Sequence, residues 1–337
     1  MKKILILPFF LGAALLANAQ AGVADAHTQA MDNARTGNFD KALSVIKNAE
    51  ANYPDNTVLL KDDALFNTMK KDYPNAIAAG KKLVSLADAD EQSYQILGSA
   101  YTADSKYGDA VNVYEQGIQR FPQSSVLYAE YGATLMDNNQ AKKAAWAWEK
   151  GVEVNPSISS NYYYLAKYYA THSNPLWSAL YGEIFINIET FSMRTREIKD
   201  TLFRQYSALF ATDNVLQNYI SNGQPFEKAV ASTFQQFKDI VSGGVNPESL
   251  YALRGQFVVS WFNSDNAKTY PYKLFDRLLQ LSKIGVFEAY NQWLFSGYNQ
   301  SQFATWGRMN SGEVQEFAKF QKASVFKVPD GQYYQHN

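Results

Sequence analysis

Residues 94–122 read Y-Q-I-L-G-S-A-Y-T-A-D-S-K-Y-G-D-A-V-N-V-Y-E-Q-G-I-Q-R-F-P. The spacing predicts two antiparallel helices joined by a turn. Gly98 and Ala110 fall where the two would cross, a place where small side chains let backbones approach closely. Tyr94, Leu97, Tyr101 and Tyr114 are expected to fill the space between this hairpin and the next. Pro122 ends the second helix, because proline lacks the N–H and clashes with the preceding turn.

The same pattern recurs along the chain with a fixed period. Alanine marks the step at Ala42, Ala76, Ala110 and Ala144, and a small residue stands twelve positions earlier at Ala30, Ala64, Gly98 and Gly132. Phe39, Tyr73 and Tyr107 precede three of the alanines by three residues, with Ala141 as the exception. Ile46, Gly80, Tyr114 and Trp148 follow them by four, and Pro54, Pro122 and Pro156 keep the period with Asp88 in the gap. A fifth, looser unit carries Tyr162, Leu165, Ala166 and Tyr169. The first unit departs from the pattern at Ala26 and Gln29, and the second at Asp63 and Gly80.

The units Tyr94-x2-Leu97-Gly98-x2-Tyr101…Ala110-x3-Tyr114…Pro122 and Tyr128-x2-Tyr131-Gly132…Ala144-x3-Trp148…Pro156 resemble the tetratricopeptide repeat (TPR) family. The resemblance covers roughly residues 22–190 and implies an all-α solenoid of about five helical hairpins. Stacked hairpins of this kind present a concave groove to a partner. Residues one turn apart on each first helix share a face, so the register places Lys61, Leu65 and Thr68, then Gln95, Ser99 and Thr102, then Ala129, Ala133 and Met136, and finally Tyr163 and Lys167 in that groove. Tyr163 is the one large aromatic among them, with Tyr162 assigned to the core. Family members that clamp a C-terminal carboxylate use a basic and asparagine cluster here. This sequence offers only Lys61, Lys167 and Arg35, so such a clamp is not expected. The chain is also similar in build to secreted TPR proteins of Bacteroidota-type bacteria.

Beyond residue 190 the period stops while helical spacing persists. Ile198, Leu202, Tyr206 and Leu209 share one helix face, and Phe226, Val230, Phe234, Phe237 and Val241 form another stripe. Asn246-Pro247 signals a helix start, Pro271 another, and Gly285 a stop. The expected organisation is a leader at 1–19, repeats at 20–190, an aromatic helical region at 191–326 and a flexible polar tail at 327–337.

The leader expectation rests on Met1-Lys2-Lys3, an apolar run over 4–16, and Ala17-Asn18-Ala19, the three parts of a secretory signal peptide cleaved after Ala19. Thirteen apolar residues reach about 20 Å, short of a bilayer core of about 30 Å, so no stable membrane insertion is expected after cleavage. No cysteine follows for lipid attachment, and the location implied is periplasmic or exported.

Composition narrows the chemistry. With 31 basic and 32 acidic residues and no clustered basic stripe, nucleic-acid binding is not indicated. No cysteine and three scattered histidines (His27, His172, His336) leave no metal, disulfide or thiol chemistry in view. Phosphate-loop, nucleophile-elbow, dinucleotide and zinc-protease motifs are absent, and no cofactor is implied. The function expected is a non-enzymatic scaffold that binds a segment of another envelope protein in the groove. Two alternatives remain: a glycan or peptidoglycan module using Tyr163 or Trp293, and a hydrolase sited in the C-terminal half with Glu183 or Glu288 as its acid. Glu183 otherwise pairs with Arg194 or Arg196.

Overall fold

The computed structural model describes the backbone of residues 9–334 and the side chains of residues 20–334. The leader's basic start lies outside the described backbone, as do the side chains of its remainder. Among the described residues there are nineteen α-helices and no strand, and no helix long and apolar enough to cross a membrane. Contacts divide the chain into two compact units, residues 1–144 and 145–337.

The helices keep time with the sequence period. First helices of successive pairs are α3 (Thr57–Lys70), α5 (Glu91–Ala103), α7 (Ser125–Asp137) and α9 (Ser159–Thr171), each starting one full period after the last. Second helices α2 (Phe39–Glu50), α4 (Tyr73–Ser85), α6 (Tyr107–Arg120), α8 (Ala141–Val154) and α10 (Pro175–Ile188) do the same, behind α1 (Phe9–Arg35). The alanine column is sealed: Ala42, Ala76, Ala110 and Ala144 have no exposed surface. At Gly98 the ring of Tyr114 fills the space a side chain would need, so α5 and α6 cross there and Tyr114 packs on its own hairpin. Gly80, a departure in the sequence pattern, is explained the same way: Leu97 of α5 sits on it.

A further column closes each hairpin. Gly37, Lys71, Ser105, Asn139 and Ser173 all have positive φ between 55° and 78°, and they too fall on the repeat period. The first helix ends by turning left-handed. In the second pair, Lys71 N–H donates to Thr68 C=O and Asp72 N–H to Asn67 C=O, and the third and fourth pairs repeat this. Those bonds satisfy carbonyls that the helix end would otherwise orphan.

Unit two contains α9 and α10 and then a region that differs from expectation in three ways. The cadence does not stop at residue 190. α11 (Met193–Leu209) begins one period after α9 and packs on both α9 and α10. Its buried face is Ile198, Thr201, Leu202, Tyr206 and Leu209. Column positions 196 and 199 fall on Arg196 and Lys199 instead of tyrosine and leucine, which is why the repeat is invisible there. Next, the stripe expected over 226–241 is broken into α13 (Pro225–Gln235), after α12 (Asp213–Asn222), and a 3-10 turn at Lys238–Val241.

The tail, lastly, is not free over its described residues 327–334. Tyr334 stacks on Phe226 at 4.5 Å, and its hydroxyl donates to Pro271 C=O at 2.6 Å. Tyr333 Oη donates to Glu149 at 3.1 Å, and Phe326 and Val328 are buried. A tail reading as polar by composition thus docks through its few apolar and aromatic side chains. The rest of unit two is α14 (Pro247–Asn263), α15 (Asn266–Thr269), α16 (Lys273–Lys283), α17 (Phe287–Leu294), α18 (Gln300–Met309) and α19 (Ser311–Ala323). Phe226, Phe257, Trp261 and Phe275 form its aromatic centre, with Trp261 4.9 Å from Phe275 and 5.7 Å from Phe257. The start signal at Asn246 is a capping box with Ser249.

Candidate partner-binding groove

In unit one the first helices α3, α5 and α7 pack side by side, which brings Lys61, Leu65, Gln95, Ser99, Thr102 and Met136 onto adjacent elements. They are not equally available. Lys61 Nζ donates to Asp90 Oδ2 at 2.6 Å and to Gln92 Oε1 at 3.1 Å, so its charge is matched at the N-terminus of α5. Partial burial would raise the Asp90 pKa, but the Lys61 ammonium and the Ser93 hydrogen bonds outweigh it and hold the carboxyl below its usual range. Thr102 Oγ1 lies 3.1 Å from Thr134 Oγ1 across the α5–α7 seam, and Ser99 Oγ is 3.4 Å from Tyr114 Oη. Thr68 Oγ1 donates to Ala64 C=O of its own helix at 2.8 Å.

What remains open is apolar. Leu65 is 41% exposed and Met136 40%. Val58 and Met69, which sequence reasoning missed, are also exposed. Standing seven residues before and four after Leu65, they lie on the same stripe of α3, and that spacing was the available signal.

Unit two holds the other two predicted residues, and Tyr163 is not the open anchor expected. It is 8% exposed, because α11 occupies the place where a partner would reach it. Its Oη donates to Glu197 Oε2 at 2.6 Å and accepts from Lys167 Nζ at 3.2 Å. Lys167 and Glu197 form an ion pair at 2.7 Å. The Arg194 guanidinium lies 5.0 Å from the Tyr163 ring centroid, and Phe185 lies 5.4 Å away. Burial and the Glu197 acceptor push the tyrosine pKa up. Tyr162, assigned to the core, is fully buried against Tyr181.

The acids of the hydrolase alternative are placed as follows. Glu183 is 1% exposed and pairs with Arg254, also 1% exposed, not with Arg194 or Arg196. Tyr290 Oη donates to it at 2.7 Å and Tyr206 Oη at 3.3 Å, while Arg254 also donates to Asn291. This cluster joins α10, α11, α14 and α17 and leaves Glu183 no face toward a cleft. Arg194 pairs with Glu189 instead. Glu288 lines a cavity of about 430 Å³ with Glu313 and Tyr251. Its Oε1 accepts from Trp306 Nε1 at 2.8 Å, and Glu313 accepts from Ala289 N–H at 2.8 Å. Trp293, the glycan candidate, is half-buried, with the Lys199 ammonium 3.7 Å from its ring centroid and Phe317 at 5.6 Å. His27 is half-exposed and bonded through Nδ1 to Asp62 at 2.7 Å.

No protein-family model matches this chain, and no curated protein does. Among solved structures, it is similar to a thermophilic TPR protein of Thermus thermophilus, at 17% identity over 56% of this chain and 98% of the other, with a TM-score of 0.44. PilF of Pseudomonas aeruginosa matches at 14% identity over 65% of this chain and 99% of its own, with a TM-score of 0.49. A tetratricopeptide repeat protein of Parabacteroides merdae matches at 14% identity over 82% and 98%, with a TM-score of 0.44. What this chain shares with them is a helical-repeat fold, and its own regular cadence of paired helices carries that assignment.

Proposed function

We propose that the protein is an exported, non-enzymatic scaffold whose α3–α5–α7 layer holds an apolar-sided segment of another protein of the cell envelope. The observation that supports this reading is the exposed stripe of Val58, Leu65 and Met69 on α3, continued by Met136 on α7. Methionine side chains adapt to different apolar partners. Half-buried Gln95 and Ser99 between them supply hydrogen-bonding groups for an extended backbone or the polar flank of a helix. The envelope location rests on the three-part leader in the sequence.

Capture from an envelope extract of the native host tests the reading. Wild-type protein is expected to retain one partner stoichiometrically, and a Leu65→Asp, Met136→Asp variant to lose it while keeping its helical circular dichroism. Retention of that partner by the variant at wild-type level overturns the assignment of the surface. Retention of the wild type on cell-wall polymer instead of protein favours the glycan alternative.

A further inference from the structure

Arg277 on α16 is a buried cation without an anion. It is 7% exposed, and among the described residues no carboxylate pairs with it. Nη1 donates to Ser324 Oγ at 2.6 Å and Nη2 to Ser324 C=O at 3.2 Å, while Nε is buried without a partner. The guanidinium rests on Phe320, 4.1 Å from the ring centroid. A guanidinium has five N–H donors, and these contacts leave part of the fork unused. Taking a charge out of water is expensive, and buried charges are normally paired. Arg254 in the same unit obeys that rule through Glu183.

Arg277 also lines a cavity of about 180 Å³ of mixed character, with Ile186, Ile188, Phe317 and Phe326 on its apolar side and Asn187, Thr190, Tyr290, Gln321 and Ser324 supplying polar groups. An apolar protein cavity of about 150 Å³ accepts benzene, so this one has room for a six-membered ring. A second cavity of about 340 Å³ shares Thr190 and Trp293 with the first. It adds Lys199 and Arg196, with Asp200 as its one acid. Burial drives the Lys199 pKa down to about 7, against the opposing effect of the Asp200 carboxylate.

We propose that the Arg277 cavity is a binding site for a small free carboxylate with an apolar body, of about the size of benzoate. The guanidinium fork matches a carboxylate bidentately, and Ile186, Ile188, Phe317 and Phe326 in the mixed wall offer an apolar face to a ring or branched chain. The site lies wholly in unit two and does not depend on the groove of unit one.

Calorimetric titration of the full-length protein with benzoate and with benzyl alcohol, its neutral counterpart of similar shape, tests this. Benzoate is expected to bind about tenfold or more tightly than benzyl alcohol, because only it answers the buried charge. Arg277→Met is expected to abolish that preference while leaving the melting temperature of the unliganded protein equal or higher, since the substitution removes an unmatched buried charge. Equal affinity for the two probes, no binding of benzoate at millimolar concentration, or a benzoate preference that survives Arg277→Met each overturns the proposal. If the variant fails to fold, the wild-type comparison of the two probes decides alone.

Discussion

Replacing Gly98 by alanine tests the crossing on which the repeat depends. A Cβ at Gly98 would stand 2.4 Å from Cζ of Tyr114 and 2.6 and 2.7 Å from Cε1 and Cε2. Carbon atoms in contact prefer about 3.5–4 Å, so the ring would have to retreat by about 1 Å. It has nowhere to go: Tyr114 is fully buried and its hydroxyl lies beside Ser99. Overpacking of this kind costs about 1–3 kcal/mol, and the direct contact with ring atoms puts Gly98→Ala at the upper end. Alanine's better helix propensity returns about 1 kcal/mol, leaving a net loss of about 2 kcal/mol. Gly108→Ala is the matched control, because nothing lies within 4 Å of its added carbon and only the propensity gain applies. Urea unfolding followed by circular dichroism measures both. Tyr114→Leu shortens the side chain that the methyl meets, so the Gly98→Ala, Tyr114→Leu pair should show a favourable coupling of about 1–2 kcal/mol in a double-mutant cycle. A Gly98→Ala variant as stable as Gly108→Ala, or an additive cycle, would refute the crossing.

Other expectations follow from particular contacts. The Glu50 carboxyl is held at about 7 by burial and then by Asp63, against Lys47 and Lys82. Its folded pKa exceeds the ordinary 4.5, so the stability it contributes is full below that value and is lost as pH rises through about 7. Glu50→Gln should flatten the wild-type decline in urea midpoint over that window, and parallel curves would rule it out. Glu183→Ala should cost about 3–5 kcal/mol by stranding Arg254, whereas Glu183→Leu with Arg254→Met should recover most of the loss; equal melting temperatures for the single and double variants would contradict this. Lys71→Gly, Ser105→Gly and Ser173→Gly should each stabilise by about 0.5–1 kcal/mol, because glycine adopts positive φ without strain, and Asn139→Gly should gain less; lowered urea midpoints for all three would be inconsistent with left-handed turns there. Mature protein from the native host should begin at Gln20 by N-terminal sequencing, and a retained Met1 would contradict the leader.

The repeat was legible because burial acted on the same position in four successive units. Ala42, Ala76, Ala110 and Ala144 must all be small, so the sequence repeats where the geometry does. The turn column obeys the same geometry without leaving a trace. Gly37, Lys71, Ser105, Asn139 and Ser173 share a left-handed backbone but no common side chain, since the strain of about 1–2 kcal/mol per non-glycine residue is small enough to be outweighed by packing. α11 shows a third situation. It starts on the beat of the repeat, yet its apolar face is built from Ile198, Leu202 and Leu209 instead of the column positions, so the pattern ends one helix before the cadence does. The same helix buries Tyr163, which a reading that stopped the array at residue 190 left open to solvent.

In unit two the informative residues are charges standing on apolar stripes. Arg254 lies between Leu250, Leu253 and Phe257, and Arg277 among Leu274, Leu278 and Leu281, each at a core position of its helix. Helical spacing alone therefore predicts that both guanidinium groups face inward, and that much could be read from the sequence. Whether each finds a counter-charge could not, because the partner lies far along the chain: Glu183 is 71 residues from Arg254, and Tyr290 reaches the same carboxylate across 107. Tertiary packing gives Arg254 a carboxylate, two tyrosine rings and Asn291, and gives Arg277 a serine, a phenylalanine face and a cavity of mixed polar and apolar lining. A buried arginine that only fills space could be replaced by methionine with little loss. The benzoate titration asks whether the charge that sets arginine apart from methionine is used.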